Sequence, residues 1–146
     1  MLSLTQAAAK STNEYALLPD LFPSLQTEGI RFRRGQLTMI AGQPNAGKSL
    51  LALYMAVQMK VPTLYISADT NAHTMAMRLA SMISGKNQSD VEQMLSTDVG
   101  WTKATLSKSN HIVWSFESAP TLQDIDEEVQ AFEELWGCSP TLIVVD

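Results

Sequence analysis

Residues 42–49, Gly42-Gln43-Pro44-Asn45-Ala46-Gly47-Lys48-Ser49, match the pattern G-x-x-x-x-G-K-[ST] in full and stand between two segments of different character. Residues 35–41 before them are short, apolar and β-prone, while residues 50–59 after them are apolar on nearly every side, as a buried helix is. Strand, glycine loop and helix is the order of a βα unit that presents its loop to an anion, so this octapeptide constrains the fold more than any other feature of the chain.

Each residue type has its own reason to be there. Gly42 and Gly47 let the backbone bend until successive N–H groups converge on a phosphate. Lys48 carries a compact charge to the β and γ phosphates, Ser49 offers a hydroxyl to Mg²⁺, and the helix that opens at Ser49 turns its positive end the same way. Gln43, Pro44, Asn45, Ala46 and Leu50 complete the expected nucleotide-binding set.

The remaining composition narrows the class. A chain of 146 residues with 45% hydrophobic and 17% charged residues is one soluble domain with a real core, and no stretch approaches the roughly 20 apolar residues of a membrane span. The first ten residues lack the basic and long apolar regions of a secretory signal, which makes a cytoplasmic location the expectation. The single cysteine, Cys138, excludes an intrachain disulfide and a thiolate metal cluster, and is expected to be a packing residue. The two histidines, His73 and His111, have no ligand spacing. A net charge of -5 argues against a surface that grips nucleic acid throughout. Only Arg31, Arg33 and Arg34 cluster, and a solvated turn explains them more simply than a phosphate backbone does.

Along the chain, residues 1–30 are expected to form an arm with one short helix, because Pro19 and Pro23 break anything longer. Residues 31–146 are expected to form the core domain. A second strand is expected over 61–67 and a helix over 71–84, with Met75, Leu79 and Met82 on its inner face and Gly85 as its stop. Ser89 and Glu92 have the spacing of a capping box for a short helix over 90–96, and another helical segment follows Gly100. A third strand is expected over 111–116. The helix opening at Thr121 puts Leu122, Ile125, Val129, Phe132 and Leu135 on one face, with the acids of residues 124–134 mostly elsewhere. Gly137 and Pro140 end it, and the unbroken apolar run over 141–146 predicts a fourth strand buried on both faces.

Strands alternating with helices give an α/β fold with a mostly parallel sheet covered by helices on both faces. Ligands of such sheets sit beyond the carboxyl ends of the strands. The glycine loop follows the first strand, Asp69 follows the second and Asp146 closes the fourth, a placement suited to Mg²⁺ and an attacking water.

Residues 35–49, 64–69, 77–80 and 142–146 together resemble the ATPase core of the RecA/DnaB family, nearest to DnaB-type replicative helicases, and the resemblance spans roughly residues 30–146. It implies a three-layer RecA-like P-loop NTPase that binds ATP and Mg²⁺. Asp146 matches the Walker B aspartate that orders the metal, and Asp69 stands where the family has a catalytic Glu that polarises the attacking water. Lys48 joins Asp69 as a catalytic residue on this reading. The family core continues past the Walker B strand with another strand, DNA-contacting loops, a γ-phosphate sensor and an arginine finger. In RecA-like sheets that next strand inserts between the Walker A and Walker B strands, so residues 1–146 alone are expected to leave the sheet incomplete on its C-terminal side. Either the chain is a fragment or a partner fills the gap. Arg78, on the helix after Asp69, is expected to form an ion pair on the same chain or to approach a neighbour's nucleotide.

The resemblance implies a function in DNA replication or recombination. In the complete protein it implies binding of single-stranded or branched DNA, a homo-oligomeric ring, and a short phage-encoded member acting in the host cytoplasm. Two other readings use the same residues. Asp69 and Asp146 with a divalent metal could cleave phosphodiesters, making the protein a structure-specific DNA nuclease, or the site could bind ATP without turnover and gate a loader or adaptor. A small-molecule kinase is disfavoured, because Arg78 is the only arginine after Lys48.

Overall fold

The computed structural model of the protein describes residues 16–146, which fall into two compact units, 16–41 and 42–146. Half of the expected N-terminal arm, residues 1–15, lies outside the described residues.

In the first unit, Leu17 and Arg33 form an antiparallel bridge, extended by Leu18 N–H donating to the Phe32 carbonyl at 2.9 Å and Arg34 N–H to the Ala16 carbonyl at 2.9 Å. One short helix, α1 (Pro23–Thr27), begins on Pro23, where a missing N–H costs nothing. Arg31 bonds the Asp20 carboxylate at 2.8 Å, so part of the basic cluster serves this local turn. Residues 35–41 do not form the expected first strand, and Leu37 and Met39 are 96% and 84% exposed. A strand exists only when a neighbour completes its ladder, and no ladder includes these residues.

The second unit holds α2 (Lys48–Met59), β1 (Thr63–Ile66), α3 (Ala72–Ser84), α4 (Gln88–Thr97), α5 (Val99–Leu106), a 3₁₀ turn (Ser107–Ser109), β2 (Ile112–Ser115), α6 (Leu122–Trp136) and β3 (Leu142–Val145). The sheet is parallel with order β2-β1-β3, and Tyr65 pairs with Trp114 on one side and Val144 on the other. Every residue of β1 is buried, as a central strand requires. Period-two alternation sends Tyr65 to the face covered by Leu53, Ala56 and Val57 of α2 and by Met75 and Leu79 of α3, and sends Leu64 and Ile66 to Phe132 of α6. Helices on both faces of a parallel sheet make this an α/β three-layer fold, as expected.

Four further sequence expectations change. The last strand is not buried on both faces: Ile143 and Val145 are 43% and 56% exposed, because among the described residues β3 is an edge strand that pairs only with β1. Its apolar run suits a central position, and its free edge lies where the resemblance implies an inserted strand. Helix α4 is capped by Asn87, whose Oδ1 accepts from Asp90 N–H at 2.8 Å, rather than by Ser89. Cys138 is exposed in the turn after α6 instead of packed. The apolar stripe of α6 is also shorter than expected. Phe132 is buried with Ile125 and Val129 against it, but Leu122 and Leu135 at its ends are exposed.

Candidate functional site

The glycine loop closes on itself before α2 begins. Ala46 N–H donates to the Gln43 carbonyl at 3.2 Å, and Asn45 and Gly47 take left-handed φ values of 61° and 85°. At Gly47 any side chain would strain that conformation, although a Cβ would meet no atom within 4 Å. The start of α2 differs from the other long helices. Asn71, Asn87, Asp98 and Thr121 each accept a backbone N–H to cap α3, α4, α5 and α6, whereas α2 begins on Gly47 with no side-chain cap. Its first N–H groups therefore remain open to an anionic ligand, and the helix dipole favours one. Lys48 lies over the loop, its Nζ donating to the carbonyls of Gly42 at 3.1 Å and Gln43 at 2.9 Å.

The strand order places the carboxylates. The chain runs from β1 outward to β2, then returns to β3 on the other side of β1, so the crevice at the carboxyl ends of β1 and β3 is a topological switch point. The ladder continues one step past the strands: Asp146 N–H donates to the Ile66 carbonyl at 2.9 Å and Ala68 N–H to the Asp146 carbonyl at 2.7 Å. That pins the backbone of Asp146 and brings the turn carrying Asp69 to the same end of the sheet.

The Asp146 carboxylate joins the loop to the sheet. Its Oδ1 accepts from Ser49 Oγ at 2.8 Å, and its Oδ2 accepts from the Tyr65 phenol at 3.1 Å. Ser49 and Asp146, 97 residues apart in sequence, are thus in direct contact. Burial pushes the Tyr65 phenol above its ordinary value, and the adjacent Asp146 carboxylate pushes it the same way, so it remains a proton donor. Sequence reasoning missed Tyr65, because a tyrosine inside an apolar strand carries no signal beyond packing.

Asp69 is exposed, and its Oδ1 accepts from Thr70 Oγ1 at 2.9 Å. Arg78 does not form the expected ion pair among the described residues. Its Nη1 donates to Thr70 Oγ1 at 3.2 Å, so the guanidinium reaches Asp69 through a hydroxyl. Thr70 thus bridges the two side chains. Arg78 also lines a cavity of about 570 Å³ beside the loop, together with Gly47, Leu50, Tyr54, Ser81 and Gln88. Among the described residues the buried Ser81 hydroxyl has no hydrogen-bond partner.

The donor set fits Mg²⁺ and a polyphosphate. A hydroxyl and a carboxylate are hard oxygen ligands, and Mg²⁺ characteristically takes one or two of these from the protein, with phosphate and water completing its octahedron. Among the described residues no group of three or more His, Cys, Asp and Glu could hold a metal ion by itself.

The profile of the DnaB-like helicase C terminal domain matches residues 19–146. The chain belongs to this family. It is also similar to the Gene 65 protein of Mycobacterium phage L5, with 33% identity over 130 residues that cover 88% of the chain and 48% of the relative. The Gene 65 protein of Mycobacterium phage D29 is 29% identical over 119 residues, covering 75% of the chain and 48% of that protein. The chain therefore spans about half the length of the curated relatives it matches. No solved structure matches it. Among the described residues no helix is long and apolar enough to cross a membrane.

Proposed function

We propose that this chain supplies the nucleotide-binding part of an ATP-driven DNA helicase. The observation that carries the reading is the 2.8 Å contact between Ser49 Oγ and Asp146 Oδ1 at the uncapped start of α2, directly behind the glycine loop. Gly42, Gln43, Pro44, Asn45, Ala46, Gly47 and Leu50 wrap the nucleotide, Lys48 neutralises phosphate charge, and Ser49 and Asp146 hold Mg²⁺. When bound there, Mg²⁺ would offset the negative charge of the phosphates. Asp69 orients the attacking water, with Thr70 and Arg78 fixing its carboxylate. The cavity beside the loop has room for base and ribose, with the Tyr54 ring, the Gln88 amide and the unpaired Ser81 hydroxyl on its wall.

In the complete protein, ATP turnover drives movement on single-stranded DNA within a homo-oligomeric ring, a reading supported by the DnaB-like family match. We assign that activity to replication or recombination in the host cytoplasm, a reading supported by the DnaB-like family match and by the phage origin of the relatives. The test is ATP binding with and without Mg²⁺, and ATP turnover with and without single-stranded DNA, on the complete protein and its Asp146→Asn and Asp69→Asn variants. Mg²⁺-dependent binding lost in Asp146→Asn, and DNA-stimulated turnover lost in Asp69→Asn with ATP affinity retained, are the expected results. Nucleotide binding that ignores both Mg²⁺ and Asp146 would refute the assignment.

A further inference from the structure

Asp146 needs more than a fixed backbone to serve a metal, because a carboxylate on a pinned strand end still rotates about two side-chain bonds. In the structure its two oxygens are held from different elements: Oδ1 by Ser49 of α2 at 2.8 Å and Oδ2 by Tyr65 of β1 at 3.1 Å. The two donors are not equivalent. Ser49 sits at the mouth of the glycine loop and is itself a proposed metal ligand, whereas Tyr65 is fully buried and reaches Asp146 from beneath the site. Its ring lies 5.0 Å from that of Trp114 at a tilt of 36° and packs among Leu53, Ala56, Val57, Met75 and Leu79. The phenolic oxygen is therefore held at one point by the core, and it is the only donor to Oδ2 among the described residues.

We infer that Tyr65 is the positioning residue that fixes the Asp146 carboxylate for Mg²⁺, through its hydroxyl and not merely through its bulk. The inference rests on the reading of Asp146 as the metal carboxylate. It gives the core of the sheet a direct hand in metal affinity. A bulky apolar residue fills the same space but leaves Oδ2 free to turn away from the metal position. Outer-shell partners of metal ligands typically contribute 10–100-fold to affinity. With Ser49 still holding the other oxygen, the lower end applies.

The experiment is a Tyr65→Phe substitution, which keeps the ring and its contact with Trp114, assayed by nucleotide binding as Mg²⁺ is titrated. The expected result is a rise of about tenfold in the Mg²⁺ concentration at half-saturation, with nucleotide binding in EDTA unchanged. Nucleotide binding in EDTA separates positioning from packing. It is unchanged in Tyr65→Phe if Tyr65 acts through the carboxylate, and weakens together with the Mg²⁺-dependent binding if Tyr65 only packs. If Asp146→Asn alone leaves the Mg²⁺ dependence intact, the metal reading itself fails. If Asp146→Asn abolishes it while Tyr65→Phe matches the wild type, the positioning role fails. The wild-type protein carries a second readout should Tyr65→Phe not fold. Mg²⁺ binding in the presence of nucleotide draws charge from the Asp146 carboxylate and shifts the near-ultraviolet absorption of the Tyr65 phenol. The difference band is expected in the wild type and absent from Asp146→Asn, and its absence from the wild type overturns the inference.

Discussion

Replacing Lys48 with Met separates two quantities that a nucleotide site often confounds. In the structure the ammonium bonds the carbonyls of Gly42 and Gln43 at 3.1 and 2.9 Å, both at exposed positions. Removing it leaves those carbonyls to water, so the folded state is expected to lose no more than about 1 kcal/mol. The nucleotide complex loses a charge-assisted hydrogen bond worth about 1.5–3 kcal/mol, which is roughly 10- to 150-fold in affinity. The wild-type lysine must first give up its two loop carbonyls to reach a phosphate, and that cost is absent from the variant. The expected loss therefore lies toward the lower end, about 10- to 30-fold. Titration calorimetry with Mg·ATP at fixed ionic strength measures the affinity, and a thermal melt of the same preparation measures the fold. Affinity within twofold of wild type would refute the phosphate role of Lys48. A melting point lowered by more than about 10 °C would refute the argument that its loop contacts are cheap to lose. The same variant addresses the nuclease reading, which predicts metal-dependent DNA cleavage that survives Lys48→Met and disappears in Asp146→Asn.

Phe132 is the one buried residue of α6, stacked on Trp136 at 5.4 Å, and Phe132→Ala is expected to cost about 3–5 kcal/mol in denaturant unfolding. Leu135→Ala, at a position 71% exposed on the same helix, should change stability by less than about 0.5 kcal/mol, and equal effects would contradict the layer assignment. The backbone N–H of Thr121, followed by its hydroxyl, holds the Asp124 carboxyl below its usual value. A lowered folded-state value means the stabilisation is full above the ordinary Asp value of about 3.9 and disappears as pH falls through the folded value. Urea midpoints of wild type and Asp124→Asn should therefore differ at neutral pH and converge in strong acid, and a constant offset across that range would count against the cap.

Where a segment's neighbours are close in sequence, its fate was legible. The helix over Ala72–Ser84 with its Gly85 stop and the helix that opens after Thr121 each depend on interactions within a few residues, and each formed as expected. Segments that depend on distant partners behaved differently. Residues 35–41 and 142–146 are both apolar and β-prone, yet the first forms no strand and the second forms an edge. Their composition describes an environment buried on both sides, and a sequence pattern cannot say whether residues 16–146 supply the strand that would create it. The candidate site divides in the same way. Lys48 and Ser49 were legible from local spacing, and Asp146 from its place at a strand end, but the hydroxyl of Tyr65 acquires its meaning only through the parallel register of β1 and β3. That register puts Tyr65 beside Val144 and brings its side chain within reach of Asp146 two residues later. Motif reading finds groups that face the ligand, because their chemistry is exposed in the pattern. It does not find the buried groups that aim them, because a packing residue and an aiming residue look alike until the fold brings a second side chain to the same atom.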